Sequence, residues 1–389
     1  MFGINKPRLF AWLLAVAVFS FLVYVFATRT NSVGNDIHAA VPVSADIPAI
    51  ESTSPFSPEI DAADLRSALT EVCSNAADDS AATKETLEEF EARMETISEQ
   101  EKSASENLSS SSSAEHLHLA AVLESDPKLR FDLLERAISQ SSDPFLVWSA
   151  VQLCSEAIED TPCPLRDWEQ LLIAVDGQNS ESWVRIAANR YAANEYEAAL
   201  DAMRFASTAA ESRAYWTEMI EMAERGLAAA SNLAFLERAD MAFGIAASRL
   251  PDYVDYLRMC EERSAQSADW AYTCLAYGEL VENQGKTMLG VAFSRNIQKL
   301  ALENLGEVEK AAEIRQQQEQ RRQKSIDSIE HRDPAVDRLI FSTPALLSAY
   351  LAAIRSVGEE TARRQMTTEI DRLLEQQPAL ACEQVRVRS

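Results

Sequence analysis

The chain has 389 residues, long enough to bury a substantial core, and its net charge of −25 is strongly acidic. Such a surface repels nucleic acid and anionic lipid headgroups, which excludes both as principal partners. Glycine is scarce at 10 residues, alanine is abundant and β-branched runs are nearly absent after residue 60, so the composition predicts an all-α fold.

Residues 1–8 form a short basic stub with Lys6 and Arg8. Leu9 to Ala27 is an uncharged apolar run of 19 residues. As a helix it covers about 28 Å, close to the hydrocarbon thickness of a bilayer. Arg29 follows it, and the next charge is Asp36. The positive-inside rule places the stub in the cytoplasm and the rest of the chain outside. The alternative is a cleaved signal peptide ending at Val25-Phe26-Ala27, but the run is longer than the ~7–15 residues of a signal core. Both readings export the domain. With the alanine content and the cysteines, they predict a single-pass protein of the inner (cytoplasmic) membrane with a periplasmic domain.

Residues 28–57 hold Pro42, Pro48 and Pro55 among small polar residues, the pattern of a flexible linker. Ser57-Pro58-Glu59 then reads as a helix start, and residues 58–108 as a helical pair. Leu87, Phe90, Met94 and Ile97 make one apolar seam on the second of these helices. The segment 59–107 carries 14 acidic and 4 basic residues, a solvated face or a surface for a basic partner. Ser109 to Ser113 reads as a loop.

From residue 114 the chain becomes repetitive. Trp148, Trp183 and Trp216 are spaced 35 and 33 residues apart, the length of one helix–turn–helix unit that cannot bury its apolar face alone. The clearest unit is 180–210. Its first helix carries Trp183, Ile186, Ala187 and Tyr191, Asn194-Glu195-Tyr196 makes the turn, and Ala199, Met203 and Ala206 face back from the second. Trp148, Trp183, Ile186, Ala187, Ala199, Met203, Ala206 and Trp216 are the expected repeat core. The unit resembles a tetratricopeptide repeat, although Glu211 stands where the closing proline usually lies. The resemblance extends partially over 114–282. It implies a solenoid of antiparallel helical hairpins with a groove lined in this unit by Glu181, Val184, Ala188 and Tyr191. A generic array of helical hairpins with chance periodicity is the alternative. Val184 and Ala188 stand where carboxylate-gripping repeats need Lys and Asn, so an apolar or aromatic-lined groove is expected.

The six cysteines form an even set without a CxxC motif, which favours disulfides in an exported domain. Cys154 and Cys163 flank the turn Glu159 to Pro162, and Cys260 and Cys274 flank Ser264 to Ala268, so each pair is placed to staple one hairpin. Cys73 and Cys382 are left to clamp the ends of the domain, or one of them to bond another chain. Residues 283–380 read as further helices, interrupted at Asp333-Pro334, restarted at Thr343-Pro344 and turned at Gly358. Residues 381–389 form a tail.

No catalytic or metal constellation emerges. Gly285-Lys286-Thr287 mimics the end of a phosphate loop, but Leu280 occupies the position of its first glycine. His116 and His118 are two apart and cannot share a helix face. Glu181-Ser182 and Glu211-Ser212 are Glu-Ser pairs of the kind used by exported lytic transglycosylases, whose Gly-Leu-Met-Gln stretch is absent. The expectation is therefore a non-enzymatic scaffold without cofactors, holding an exported or envelope protein at the membrane. The alternatives are an exported enzyme or binder of a small molecule or cell-wall polymer with a site between helices, and an oligomerisation module.

Overall fold

The computed structural model describes residues 87–155, 163–251, 253–330 and 339–376, all within one unit, Pro58–Ser389. The expected anchor 9–27, the linker 28–57, Cys73, Cys382 and the tail lie outside the described residues. Fifteen helices and no strand are found among the described residues, so the fold is all-α. None of these helices is long and apolar enough to cross a membrane.

Helix α1 (Leu87–Ser109) ends where the serines begin, and α2 (Ala114–Leu123) starts after them. Asp126 caps α3 (Pro127–Gln140) by accepting the Lys128 N–H at 2.9 Å, with Pro127 in the first turn. Helix α4 (Pro144–Ser155) is buried at every position from Phe145 to Cys154. A helix buried all round belongs inside the array. The chain continues through α5 (Leu165–Asp176), α6 (Ser180–Ala192), α7 (Tyr196–Ser207), α8 (Trp216–Ala230) and α9 (Phe235–Ser248). It ends in α10 (Tyr253–Ser264), α11 (Ala268–Gln284), α12 (Met288–Asn304), α13 (Val308–Glu330), α14 (Pro344–Val357) and α15 (Glu359–Gln376).

The first hairpins stack in chain order: α2 and α3 pack on α4, and α4 and α5 pack on α6. The order then breaks. The layer on α6–α7 is α10–α11, with α10 against α6 and α11 against α7. The intervening hairpin α8–α9 turns back, and α8 packs on α1 and α2. Gly226 makes that approach close, because a Cβ there would run into Leu119 Cδ2. Polar contacts follow the same path. Asn107 Nδ2 donates to Ala230 O at 3.0 Å, Arg225 pairs with Glu115 at 3.1 Å, and Arg249 Nη2 donates to Val122 O at 3.1 Å.

Helices α14 and α15 close the array. Arg355 of α14 pairs with Glu221 of α8 at 2.8 Å. Between α14 and α15, Gly358 has φ +83°, a conformation that favours glycine. It lets the Glu359 N–H reach Lys286 O at 2.8 Å, while Lys286 Nζ donates to Ser356 O at 3.1 Å. Gly285-Lys286-Thr287 is thus the turn between α11 and α12, and Thr287 Oγ1 caps α12 through the Gly290 N–H at 3.1 Å.

Both local cysteine pairs are joined. Cys154 at the end of α4 bonds Cys163 ahead of α5, and Cys260 of α10 bonds Cys274 of α11, each with Cα atoms 5.9 Å apart.

Candidate functional site

The first turn of α6 is held by the loop that follows α7. The Ser180 N–H donates to Glu211 O at 2.8 Å, and the Ala210 and Glu211 N–H groups donate to Gln178 O at 3.0 and 3.1 Å. Asn179 ties the two segments together. Its Oδ1 accepts from the Arg213 N–H at 2.9 Å, and its Nδ2 donates to Arg213 O at 3.0 Å and to Asp176 Oδ2 at 2.9 Å. The Ser182 hydroxyl also donates to Asp176. Tyr215 takes φ 56°, unusual for a bulky residue, at the start of α8. Its ring lies 5.6 Å from Trp148 and 5.8 Å from Phe145. This clasp fixes where the side chains of α6 point.

They point into a file of rings that crosses the interior. His118, Phe145, Tyr215 and Trp148 follow one another at centroid distances of 5.6–5.8 Å. The Arg185 guanidinium comes next, 6.0 Å from the Trp148 ring and 5.4 Å from Tyr256. Tyr253 is 6.1 Å beyond Tyr256, and Phe293 stacks on Tyr253 at 5.0 Å.

Glu181 lies one helical turn before Arg185 and is only 1% exposed. Its Oε1 accepts from the Tyr277 hydroxyl at 3.3 Å, and the Ser212 hydroxyl lies beside the same carboxyl. Burial pushes this carboxyl up to about 7, against the opposing pull of Arg185, Tyr277 and Ser212. Burial, then the Glu181 charge, also hold the Tyr253 and Tyr277 phenols well above their ordinary range. Glu181 and Arg185 interact electrostatically without forming an ion pair. Glu181 Oε2, Arg185 Nε and Nη2, Trp148 Nε1 and Ser180 Oγ are all buried without a hydrogen-bond partner. Native interiors rarely leave such groups bare.

The expected groove residues divide. Glu181 and Val184 are 1% and 0% exposed, because α4 and α10 cover the face of α6 that carries them, and a docking partner cannot reach either. Ala188 and Tyr191 are half-buried, and the Tyr191 hydroxyl donates to Glu262. Of the expected repeat core, Trp148, Ile186, Ala187, Ala199, Met203 and Ala206 are buried. Trp183 and Trp216 are half-buried. Trp183 donates from Nε1 to Gly177 O at 2.8 Å and stacks on Phe205 at 4.5 Å, and Trp216 meets Phe243 edge-on at 5.7 Å.

Arg185, Ser212, Tyr253, Tyr256 and Tyr277 escaped the sequence reading. The i, i+4 pair Glu181/Arg185 was a usable signal, since Val184 and Ile186 beside it mark that face as buried. The tyrosines come from α10 and α11, about 70–100 residues away in sequence, and no local pattern links them to α6.

Comparison with protein-family models, with curated proteins and with solved structures found no match.

Proposed function

We propose that this chain is a membrane-anchored, exported scaffold of tetratricopeptide-like helical hairpins that binds an envelope or exported protein. The observation that carries the reading is a pair of exposed aromatic side chains on adjoining outer helices. Phe205 of α7 is 54% exposed and Tyr272 of α11 is 62% exposed. Arg204 and Asp269, their near neighbours in sequence, pair across the two helices at 3.5 Å. Aromatic rings kept in water on a strongly acidic domain are the usual anchors of protein recognition. The half-buried Ala188 and Tyr191 extend the accessible surface of the same hairpin toward its turn.

The tether of a single N-terminal helix at 9–27, with the helical domain on the periplasmic side, completes the proposal. Photo-crosslinking probes at Phe205, Tyr272 and Tyr191, read by mass spectrometry in intact membranes, test it. One dominant protein adduct, lost in the Phe205→Ala/Tyr272→Ala variant, supports the scaffold. Absence of any adduct at all three positions refutes it.

A further inference from the structure

The interior of the array holds a second feature that the scaffold reading does not use. We propose that the centre between α4, α6, α10 and α11 binds a small zwitterion of the α-amino-acid class, its carboxylate on Arg185 and its ammonium on Glu181. Nε and Nη2 of Arg185 lie on one edge of the guanidinium plane, and both are unpartnered. That edge takes a carboxylate through two parallel N–H···O bonds. Arg185 Cζ lies over the Trp148 ring at 6.0 Å and over the Tyr256 ring at 5.4 Å, so two ring faces hold the cation in place. Trp148 Nε1, a donor only, is a third unpartnered N–H in the same neighbourhood.

The other end of the ligand is set by Glu181. Its Oε2 is a buried acceptor without a donor, one helical turn from Arg185. A simple carboxylate would leave that oxygen bare, and a phosphate would bring more negative charge beside it. An ammonium group satisfies it, beside the Tyr277 hydroxyl that already donates to Oε1 of the same carboxyl at 3.3 Å. Val184, Tyr253, Tyr256 and Tyr277 belong to one buried cluster around these groups, so the ligand must have a small side chain. The inference is independent of the scaffold reading, which rests on the outer surface of α7 and α11.

The test uses the full chain in detergent, titrated calorimetrically with glycine, L-alanine, D-alanine, lactate and acetate. The same protein is acid-denatured and its released small molecules are identified by mass spectrometry. Saturable binding of an amino acid, or release of one in stoichiometric amount, is expected. Lactate and acetate should bind about tenfold or more weakly, because they leave Glu181 unsatisfied. Arg185→Lys keeps the charge but loses the fork, and should weaken binding by a similar factor. Trp148→Phe removes only the third donor and should weaken it less. No binding of any amino acid together with no released ligand would overturn the proposal. So would acetate binding as tightly as alanine, or unchanged affinity in Arg185→Lys. Should that variant fail to fold, Trp148→Phe and the acetate comparison decide.

Discussion

Two buried ionisable side chains give the protein opposing responses to pH. Burial, reinforced by the Arg249 charge, lowers the His118 imidazole to about 3. Its contribution to stability is present above the unfolded value near 6.5 and is lost as pH falls through that window toward 3. The full effect is about 5 kcal/mol. Both ring nitrogens are buried without partners. His118→Leu should therefore remove acid lability at little cost at neutral pH. Denaturant titrations at pH 4 and pH 7.5 check this, and a variant as acid-labile as the parent refutes it. Glu181 works in the other direction. Its folded value near 7 lies above the ordinary 4.5, so the folded state keeps a proton that the unfolded chain has lost. Stability is complete below about 4.5 and falls as pH rises through 7, by about 3 kcal/mol in all. Glu181→Gln should flatten that slope and leave the variant the more stable protein above pH 7.

At the scale of helices, charge and covalent bonds both lock neighbours. Glu169 of α5 is only 1% exposed, yet its carboxylate is fully engaged. Arg166 and Arg190 each reach its Oε2 at 2.9 Å, and Asn189 donates to Oε1 at 3.0 Å. The same two arginines grip Glu195 in the α6–α7 turn at 2.9 Å, closing a four-membered ring of charges. Removing one buried partner leaves the others uncompensated, so Glu169→Ala should cost about 3–5 kcal/mol. Glu195→Ala, at the exposed side of the ring, should cost far less, because water screens its charge. Thermal melts of the two variants should differ accordingly, and equal losses would show that the ring does not act through its buried member. Cys260–Cys274 closes a segment with a separation of 14 residues, for which the chain-entropy model gives roughly 3 kcal/mol. Cys260→Ala/Cys274→Ala should lower the melting temperature by several degrees without loss of helix content.

For the whole molecule, the return of α8–α9 to the N-terminal helices is the decisive event. It brings residues more than 100 positions apart into contact, as Arg225 with Glu115 and Arg249 with Val122 show. It also frees the α6–α7 face for α10–α11. Gly226 is where this docking is tightest, and the buried Leu119 has little room to yield. Gly226→Val should cost about 1–3 kcal/mol. Hydrogen exchange should then rise in α1, α2 and α8 together, while α6 and α11 keep their protection. Uniform loss across all five helices would indicate that the array unfolds as a single unit instead.

Much of the fold was legible locally. Helix was dictated by alanine and the scarcity of glycine, the 180–210 hairpin by its spacing of Trp, Ile and Ala, and the helix stops by Ser109–Ser113 and Gly358. The pairings Cys154–Cys163 and Cys260–Cys274 followed from short separations across turns. These features depend on residues within one or two helical turns of each other, where backbone propensity and side-chain spacing act directly. The order of hairpins in space depends instead on which apolar faces fit, and period alone suggested a chain-ordered stack. Once α10–α11 took the place beside α6–α7, Glu181 and Val184 passed from an expected groove into the interior. Arg185 then met tyrosines from α10 and α11. The amino-acid sequence by itself determined the helices and their local staples. Only the tertiary structure decided which charges lost their water, because desolvation is a property of the neighbours that packing brings.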